Sequence, residues 1–210
     1  MVKPKRLSRS CVLRLELYLE IIEQFQKEGR QYVTSSDIGS ALGIAPGNVR
    51  QDLFGLGSAG RPKVGYEVTR LIALIRDLFD LDREKPACII GFGNLGRALA
   101  GSNMWSRGGY KLAAIFDNDP SIVGTDFAGL RVRSIAEIFG VIKTQGIEMA
   151  VITVPASAAQ EVADIVQNAG VKAIWNFVPV RLNMPETVAV ENQSLAWGLI
   201  TLSHRTRPAQ

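Results

Sequence analysis

The run Ala87-Cys88-Ile89-Ile90-Gly91-Phe92-Gly93-Asn94-Leu95-Gly96 leaves this chain few folds to choose from. Four apolar residues lead straight into Gly91-x-Gly93-x-x-Gly96 and then into Arg97-Ala98-Leu99-Ala100, which spells a buried parallel strand, a tight turn and a helix. In such a turn Gly91 makes the bend, Gly93 lets backbone approach a pyrophosphate, and Gly96 lets the helix lie close to the sheet. Phe92, Asn94 and Leu95 complete the loop, whose free N–H groups face an anion at the positive end of the helix dipole. A second apolar run, Leu112 to Phe116, closes on Asp117, near the ~20-residue offset at which an acid meets the adenosine ribose. A carboxylate there accepts the ribose hydroxyls and repels a 2′-phosphate, so the expected ligand is NAD(H) rather than NADP(H). A lone glycine-rich turn is the plainer reading of GxGxxG, and the flanking strand, helix and acid weigh against it.

Downstream, strand and helix patterns keep alternating. A short apolar stretch surrounds Leu130-Arg131-Val132, and Ser134-Ile135-Ala136-Glu137 is a capping box opening a helix to about Lys143. Met149–Val154 reads as a buried strand, 158–168 as a helix, and Ala173–Asn176 as a further strand. This predicts an open parallel sheet with its ligand crevice at the carboxyl ends of the strands. Thr153, Val154, Pro155, Asn176 and Pro179 fall at such ends and join the candidate cofactor-binding residues. The last helix, Ser194–Arg205, carries Leu195, Trp197, Leu199 and Leu202. That apolar surface docks either on its own domain or on a partner subunit.

The first third of the chain is different in kind. Residues 1–66 hold ten Lys/Arg against six Asp/Glu, whereas the remainder holds fourteen of each, so the whole net charge of +4 lies at the amino-terminal end. A basic head on a neutral body suits a nucleic-acid partner, although a solvated tail at Lys3-Pro4-Lys5-Arg6 supplies part of the excess. Leu13, Leu17, Ile21 and Phe25 recur at four-residue spacing, giving an amphipathic helix over roughly 10–27 with those four inward. Thr34-Ser35-Ser36-Asp37 caps a short second helix, Gly43 ends it, and Pro46 starts a third with Val49, Leu53 and Phe54 as its candidate buried stripe. Two short helices around a tight turn form a helix-turn-helix, whose second helix enters the major groove. Asn48, Arg50 and Gln51 lie off the stripe, and these side chains read adenine and guanine edges by bidentate hydrogen bonds. Gly57 to Tyr66 then reads as a basic wing, with Arg61, Lys63 and Tyr66 as further DNA contacts. A helix-turn-helix of this kind favours a two-fold mate on palindromic DNA, and hence the partner subunit for the last helix.

Other chemistry is thinly represented. Cys11 and Cys88 stand far apart and read as reduced thiols of a cytoplasmic protein; with a single histidine, His204, no zinc site is expected. The amino terminus has no apolar run suited to export or to a membrane span. For a small dehydrogenase, no acid–base pair is evident and only 114 residues follow Gly96, so no catalytic residue is assigned. The expected organisation is a winged-helix domain over 1–80, a charged linker over 81–86, a Rossmann-like domain over 87–192 and a terminal helix and tail over 193–210.

In order, the winged helix, Gly91 to Ala98, Phe116-Asp117-Asn118-Asp119-Pro120, Thr153-Val154-Pro155-Ala156 and Asn176-Phe177-Val178-Pro179-Val180-Arg181-Leu182 resemble the Rex family of redox-sensing repressors. The resemblance covers nearly the whole chain after the tail. It implies a homodimer with swapped carboxyl-terminal helices, on a palindromic operator from which NADH releases it, with NAD⁺ competing. Some positions depart from the family. Its recognition helix commonly reads Val-Arg-Arg/Lys-Asp followed by Ser-Tyr-Phe-Gly, against Val49-Arg50-Gln51-Asp52-Leu53-Phe54-Gly55-Leu56-Gly57 here. An arginine, a tyrosine and an aspartate that often form a switching network align with Glu20, Ser102 and Ser194, which cannot rebuild that ion pair. A Rex-like paralogue reading another nucleotide, such as a coenzyme A derivative, is the second expectation.

Overall fold

A computed structural model of the chain describes residues 7–58 and 60–207; the basic tail at Lys3-Pro4-Lys5-Arg6 and Ala59 of the wing lie outside them. Two compact units divide it, Met1–Asp82 and Arg83–Gln210.

The first unit runs α1 (Arg9–Lys27), β1 (Tyr32–Val33), α2 (Ser35–Leu42), α3 (Pro46–Gly55), β2 (Tyr66–Glu67) and α4 (Val68–Leu78). Its core gathers Leu15, Tyr18, Ile22, Phe25, Val33, Ile38, Val49, Leu53, Val68, Leu71 and Ile75. Of the four residues expected inward on α1, Phe25 is buried and Ile21 packs against the core, but Leu13 and Leu17 are exposed at 53% and 43%. Helix α1 carries two apolar stripes, and the one with Tyr18 and Ile22 offers the larger volume to α4 and α2, so it is the one buried. Thr34 caps α2 through a reciprocal bond with Asp37, as its sequence suggests. Strands β1 and β2 pair antiparallel, Val33 opposite Tyr66, and the hairpin tip is closed by mutual backbone bonds between Arg61 and Gly65.

The second unit runs β3 (Lys85–Ile90), α5 (Asn94–Ala100), α6 (Met104–Arg107), β4 (Tyr110–Asp117), β5 (Asp126–Phe127), β6 (Leu130–Ser134), α7 (Ile138–Gln145), β7 (Met149–Ile152), α8 (Ala159–Ala169), β8 (Ala173–Asn176), β9 (Ala189–Asn192) and α9 (Leu195–Arg205). The expected linker is shorter than 81–86, because Lys85 and Pro86 already belong to β3. The sheet has the order β5-β6-β4-β3-β7-β8-β9. All neighbours are parallel except β5 with β6, an antiparallel hairpin at one edge that the periodicity did not announce. Both β5 and β9 are short and mostly wet, so neither carries the apolar run by which a buried strand is recognised. One face of the sheet packs on α7 and α8 through Ile90, Phe116, Ile138, Ile152 and Val162. The other buries Ile89, Phe92, Trp105, Ile115 and Val151. Cys11 and Cys88 are both buried and free; burial pushes the Cys88 thiol far up, which keeps it protonated and unreactive.

Candidate functional site

From β3 the chain proceeds to β4 on one side and later returns to β7 on the other. The carboxyl end of β3 is thus the topological switch point, where open α/β sheets bind ligands. Gly91 occupies it at φ +94°, a conformation that strains any residue with a Cβ. A Cβ on Gly96 would run into the Gly91 carbonyl oxygen, which is how closely α5 approaches the turn. A Cβ on Gly93 would meet no other atom within 4 Å. The space above Gly93 is therefore an open cradle bounded by the first turn of α5, whose N–H groups have no intrahelical acceptor. Arg97 N–H to Gly93 O, at 2.9 Å, is the bond that closes this first turn.

Thr153 seals the switch point from the β7 side. Its backbone N–H reaches Ile90 O at 2.9 Å and its hydroxyl donates to Gly91 O at 2.7 Å, fixing the turn's shape. Asp117 is 7% exposed and already engaged: Oδ2 accepts from Phe92 N–H at 2.5 Å and Oδ1 from Asp119 N–H at 2.8 Å. Each of its oxygens keeps a second lone pair, so an expected ribose contact has to be made by a carboxylate that also staples the turn to the end of β4.

Several of the residues expected to contact a cofactor are buried core residues. Phe92 is fully buried, its ring in a T-shaped contact with Phe127 at 5.1 Å between centroids and the Arg97 guanidinium 4.7 Å from its centroid; Val154 is 8% exposed. Both lie just past strand ends, Phe92 beyond β3 and Val154 beyond β7, and their side chains turn back into the two apolar clusters that flank the sheet. Asn176 is also fully buried. Its amide nitrogen donates to Val178 O, Val180 O and Asn192 Oδ1, and its Oδ1 accepts from Val178 N–H. Gln193 N–H bonds Asn176 O at 2.8 Å. Asn176 therefore ties the carboxyl end of β8 to the segment that enters α9. Gly93, Asn94, Pro155 and Pro179 are exposed, and Leu95 is half-buried. These residues, with the backbone of Gly91 and Thr153, present groups that suit a dinucleotide: free N–H donors for phosphate, an acid for ribose, and no side chain in the cradle.

In the first unit, the wet face of α3 displays Asn48, Arg50 and Gln51 as expected, and Arg50 Nη1 rests 3.2 Å from Ser35 Oγ at the start of α2. Arg61 and Lys63 are exposed on the hairpin, Lys63 at φ +63°. Tyr66 is different: its ring is half-buried and lies against Gly60, so it shapes the wing from beneath, and desolvation raises its phenol's pKa. Phe54, expected in the buried stripe, is 76% exposed, because Leu53 takes the inward place and the next residue of a helix turns ~100° away.

Sequence reading missed Asp52. This acid on α3 points inward at 8% exposure, gripped by Arg14 of α1 through two bonds of 2.7 Å, with Tyr18 Oη donating at 2.9 Å. The Arg14 guanidinium beside it holds the carboxyl below its usual range, and burial together with Asp52 pushes the Tyr18 phenol up to about 12. The one available signal was an acid two residues from Arg50 on a helix expected to enter the major groove, where a carboxylate turned toward the DNA would oppose its negative field.

Among the described residues no three potential ligands cluster for a metal, and no helix is long and apolar enough to cross a membrane. Residues 82–180 match the family model described as CoA binding domain, and residues 6–53 match a model for the N-terminus of DNA-binding proteins. The redox-sensing transcriptional repressor Rex of Clostridium botulinum is 34% identical over 98% of each chain. A Rex-family repressor solved with β-NAD⁺ and operator DNA superposes with a TM-score of 0.91 at 31% identity, over 96% of this chain and 93% of that one. The same repressor with β-NADH gives 0.86 at 31% identity, over 96% and 94%. With a winged helix-turn-helix and a glycine-rich switch point both in place and the likeness running almost end to end, this chain belongs to the Rex family of redox-sensing transcriptional repressors.

Proposed function

We propose that the protein binds a palindromic operator as a homodimer and that the NADH/NAD⁺ ratio sets its affinity, NADH releasing it from DNA. The observation that carries this reading is the union of a polar reading face on α3 with a dinucleotide cradle at Gly93, in a chain that matches a relative solved with both operator DNA and nucleotide. Candidate cofactor contacts are Gly91, Gly93, Asn94, Leu95, Gly96, Asp117, Thr153, Pro155 and Pro179, with Asn176 positioning the loop. Candidate DNA contacts are Asn48, Arg50, Gln51, Arg61 and Lys63. No enzyme role is needed: the family comprises repressors.

The test uses the duplex enriched by the full chain from a random-sequence pool, titrated with protein in the presence of NADH, NAD⁺ or coenzyme A. NADH is expected to weaken the complex tenfold or more relative to NAD⁺, a differential of about 1.4 kcal/mol. Equal effects of the two leave a repressor without redox sensing. Release by coenzyme A alone supports the second reading, for which the matched CoA binding domain model speaks.

Dimerisation rests on α9. Leu195, Trp197, Leu199, Ile200 and Leu202 are 58–69% exposed in the single chain. Leu195, Leu199 and Leu202 form one stripe, while Trp197 and Ile200 lie on the opposite side, so the helix is apolar most of the way round and suits burial on several sides. Each such side chain gains about 1.5–3 kcal/mol on full burial. Trp197→Glu combined with Leu199→Glu is expected to halve the mass measured by sedimentation equilibrium; an unchanged mass rules α9 out as the dimer contact.

A further inference from the structure

Phe54 has the highest exposure among the large hydrophobic side chains of the described residues, 76%. It stands on the outward face of α3, the proposed reading face. Around α3 the inward positions are Val49, Asp52 and Leu53; the outward ones are Gly47, Asn48, Arg50, Gln51, Phe54 and Gly55. Phe54 is thus one helical turn beyond Arg50 and three residues beyond Gln51, on the same side, with a glycine following it and no side chain to crowd it. A whole phenyl ring in water on an otherwise polar reading face carries a penalty that is relieved only when the face is covered. The major groove presents one apolar group at its base edges, the 5-methyl of thymine, and aromatic side chains are among those that contact it.

We propose that Phe54 is a specificity-determining residue that packs on a thymine methyl in each operator half-site. This rests on the operator-binding reading above. The rise of an α-helix, about 1.5 Å per residue, places Phe54 ~4.5–6 Å along the axis from Gln51 and Arg50. At ~3.4 Å per base along a strand, the thymine lies within two base pairs of the positions those residues read.

The experiment takes the duplex enriched from a random pool by the full chain and replaces each thymine in turn with deoxyuridine, which removes only the methyl. One symmetry-related pair of thymines is expected to weaken wild-type binding about fourfold per half-site, equivalent to the ~0.8 kcal/mol of one buried methyl-sized group. At that pair Phe54→Ser is expected to be indifferent to the replacement, and Phe54→Leu to keep part of the response. The same pair should lie within two base pairs of the position whose preference Arg50→Ala relaxes. Because Phe54 is exposed, Phe54→Ser is expected to leave the circular-dichroism melting curve in place. A deoxyuridine series flat to within twofold overturns the proposal, as does a Phe54→Ser protein that keeps the wild-type response or loses affinity equally for every sequence. If no duplex is enriched at all, the operator reading falls together with this contact; if a duplex is enriched and the series is flat, only the contact falls.

Discussion

Gly93→Ala is expected to weaken nucleotide binding by about 10- to 100-fold while leaving the melting temperature of the nucleotide-free protein within about 2 °C of wild type. The backbone at Gly93 has φ −71° and ψ −162°, which any residue adopts, and an added Cβ meets nothing within 4 Å. The fold therefore does not need this glycine. What needs it is the close approach of a diphosphate to the first turn of α5, and a methyl wedged into such a contact costs about 1–3 kcal/mol. Gly96→Ala makes the contrast. Its Cβ would collide with the Gly91 carbonyl and lie 3.2 Å from Thr153 Oγ1, so it is expected to lower the melting temperature as well as the affinity. Fluorescence titration with NADH beside differential scanning calorimetry separates the two. Unaltered NADH affinity in Gly93→Ala would show that the cradle is not where the diphosphate sits.

Asp52→Ala is expected to destabilise the first unit by about 2–4 kcal/mol, seen as a helical transition some 10–20 °C lower, with NADH affinity unchanged. The deletion strands Tyr18 Oη, which is fully buried, and leaves Arg14, 30% exposed, without its bidentate partner. Water screens part of the arginine's loss, so the estimate stands below the cost of breaking a wholly buried pair. Tyr18→Phe, which removes a single hydrogen bond, is expected to cost about 1 kcal/mol. The pH dependence has a definite sign. Asp52 has its carboxyl pKa lowered by folding, so its contribution is fully present above the unfolded value of about 3.9 and disappears as the pH falls through the lower folded value. Acid unfolding of wild type should therefore be steeper below about pH 4 than that of Asp52→Ala. A melting temperature within about 2 °C of wild type would show that α3 is held by its apolar contacts alone.

The two results would also explain why the acid is tolerated on α3. Turned outward, it would face phosphates beside Arg50; turned inward, it fixes α3 on α1 and leaves Asn48, Arg50, Gln51 and Phe54 to face outward. At the other end of the chain, Asn176 does comparable work for the entry to α9. Its amide bonds Asn192 Oδ1 and its carbonyl accepts from Gln193 N–H, which joins the β8 end to the segment leading into α9.

Local pattern determined a good deal. Gly91, Gly93 and Gly96 identify a strand–turn–helix because each excludes a side chain for a stated reason, and the alternating apolar runs identify a parallel sheet because buried strands have no wet face to mark. Thr34 and Ser134 announce helix starts because a capping oxygen answers a backbone donor three residues away or fewer. Tertiary structure decided what local pattern leaves degenerate. Helix α1 carries two apolar stripes, and only contact with α2 and α4 selects Leu15, Tyr18 and Ile22 over Leu13 and Leu17. Leu53 and Phe54 are adjacent and similarly apolar, and only packing sends one inward and the other toward solvent. Asp117 and Asn176 stand at strand ends as a ligand site requires. Whether their polar atoms face a ligand or staple a turn depends on partners 25 and 16 residues away, the donor Phe92 N–H for the first and the acceptor Asn192 Oδ1 for the second. Periodicity reports which faces are apolar; the partner that covers each face is a property of the folded chain, because burial is a contact between elements and not a property of either alone.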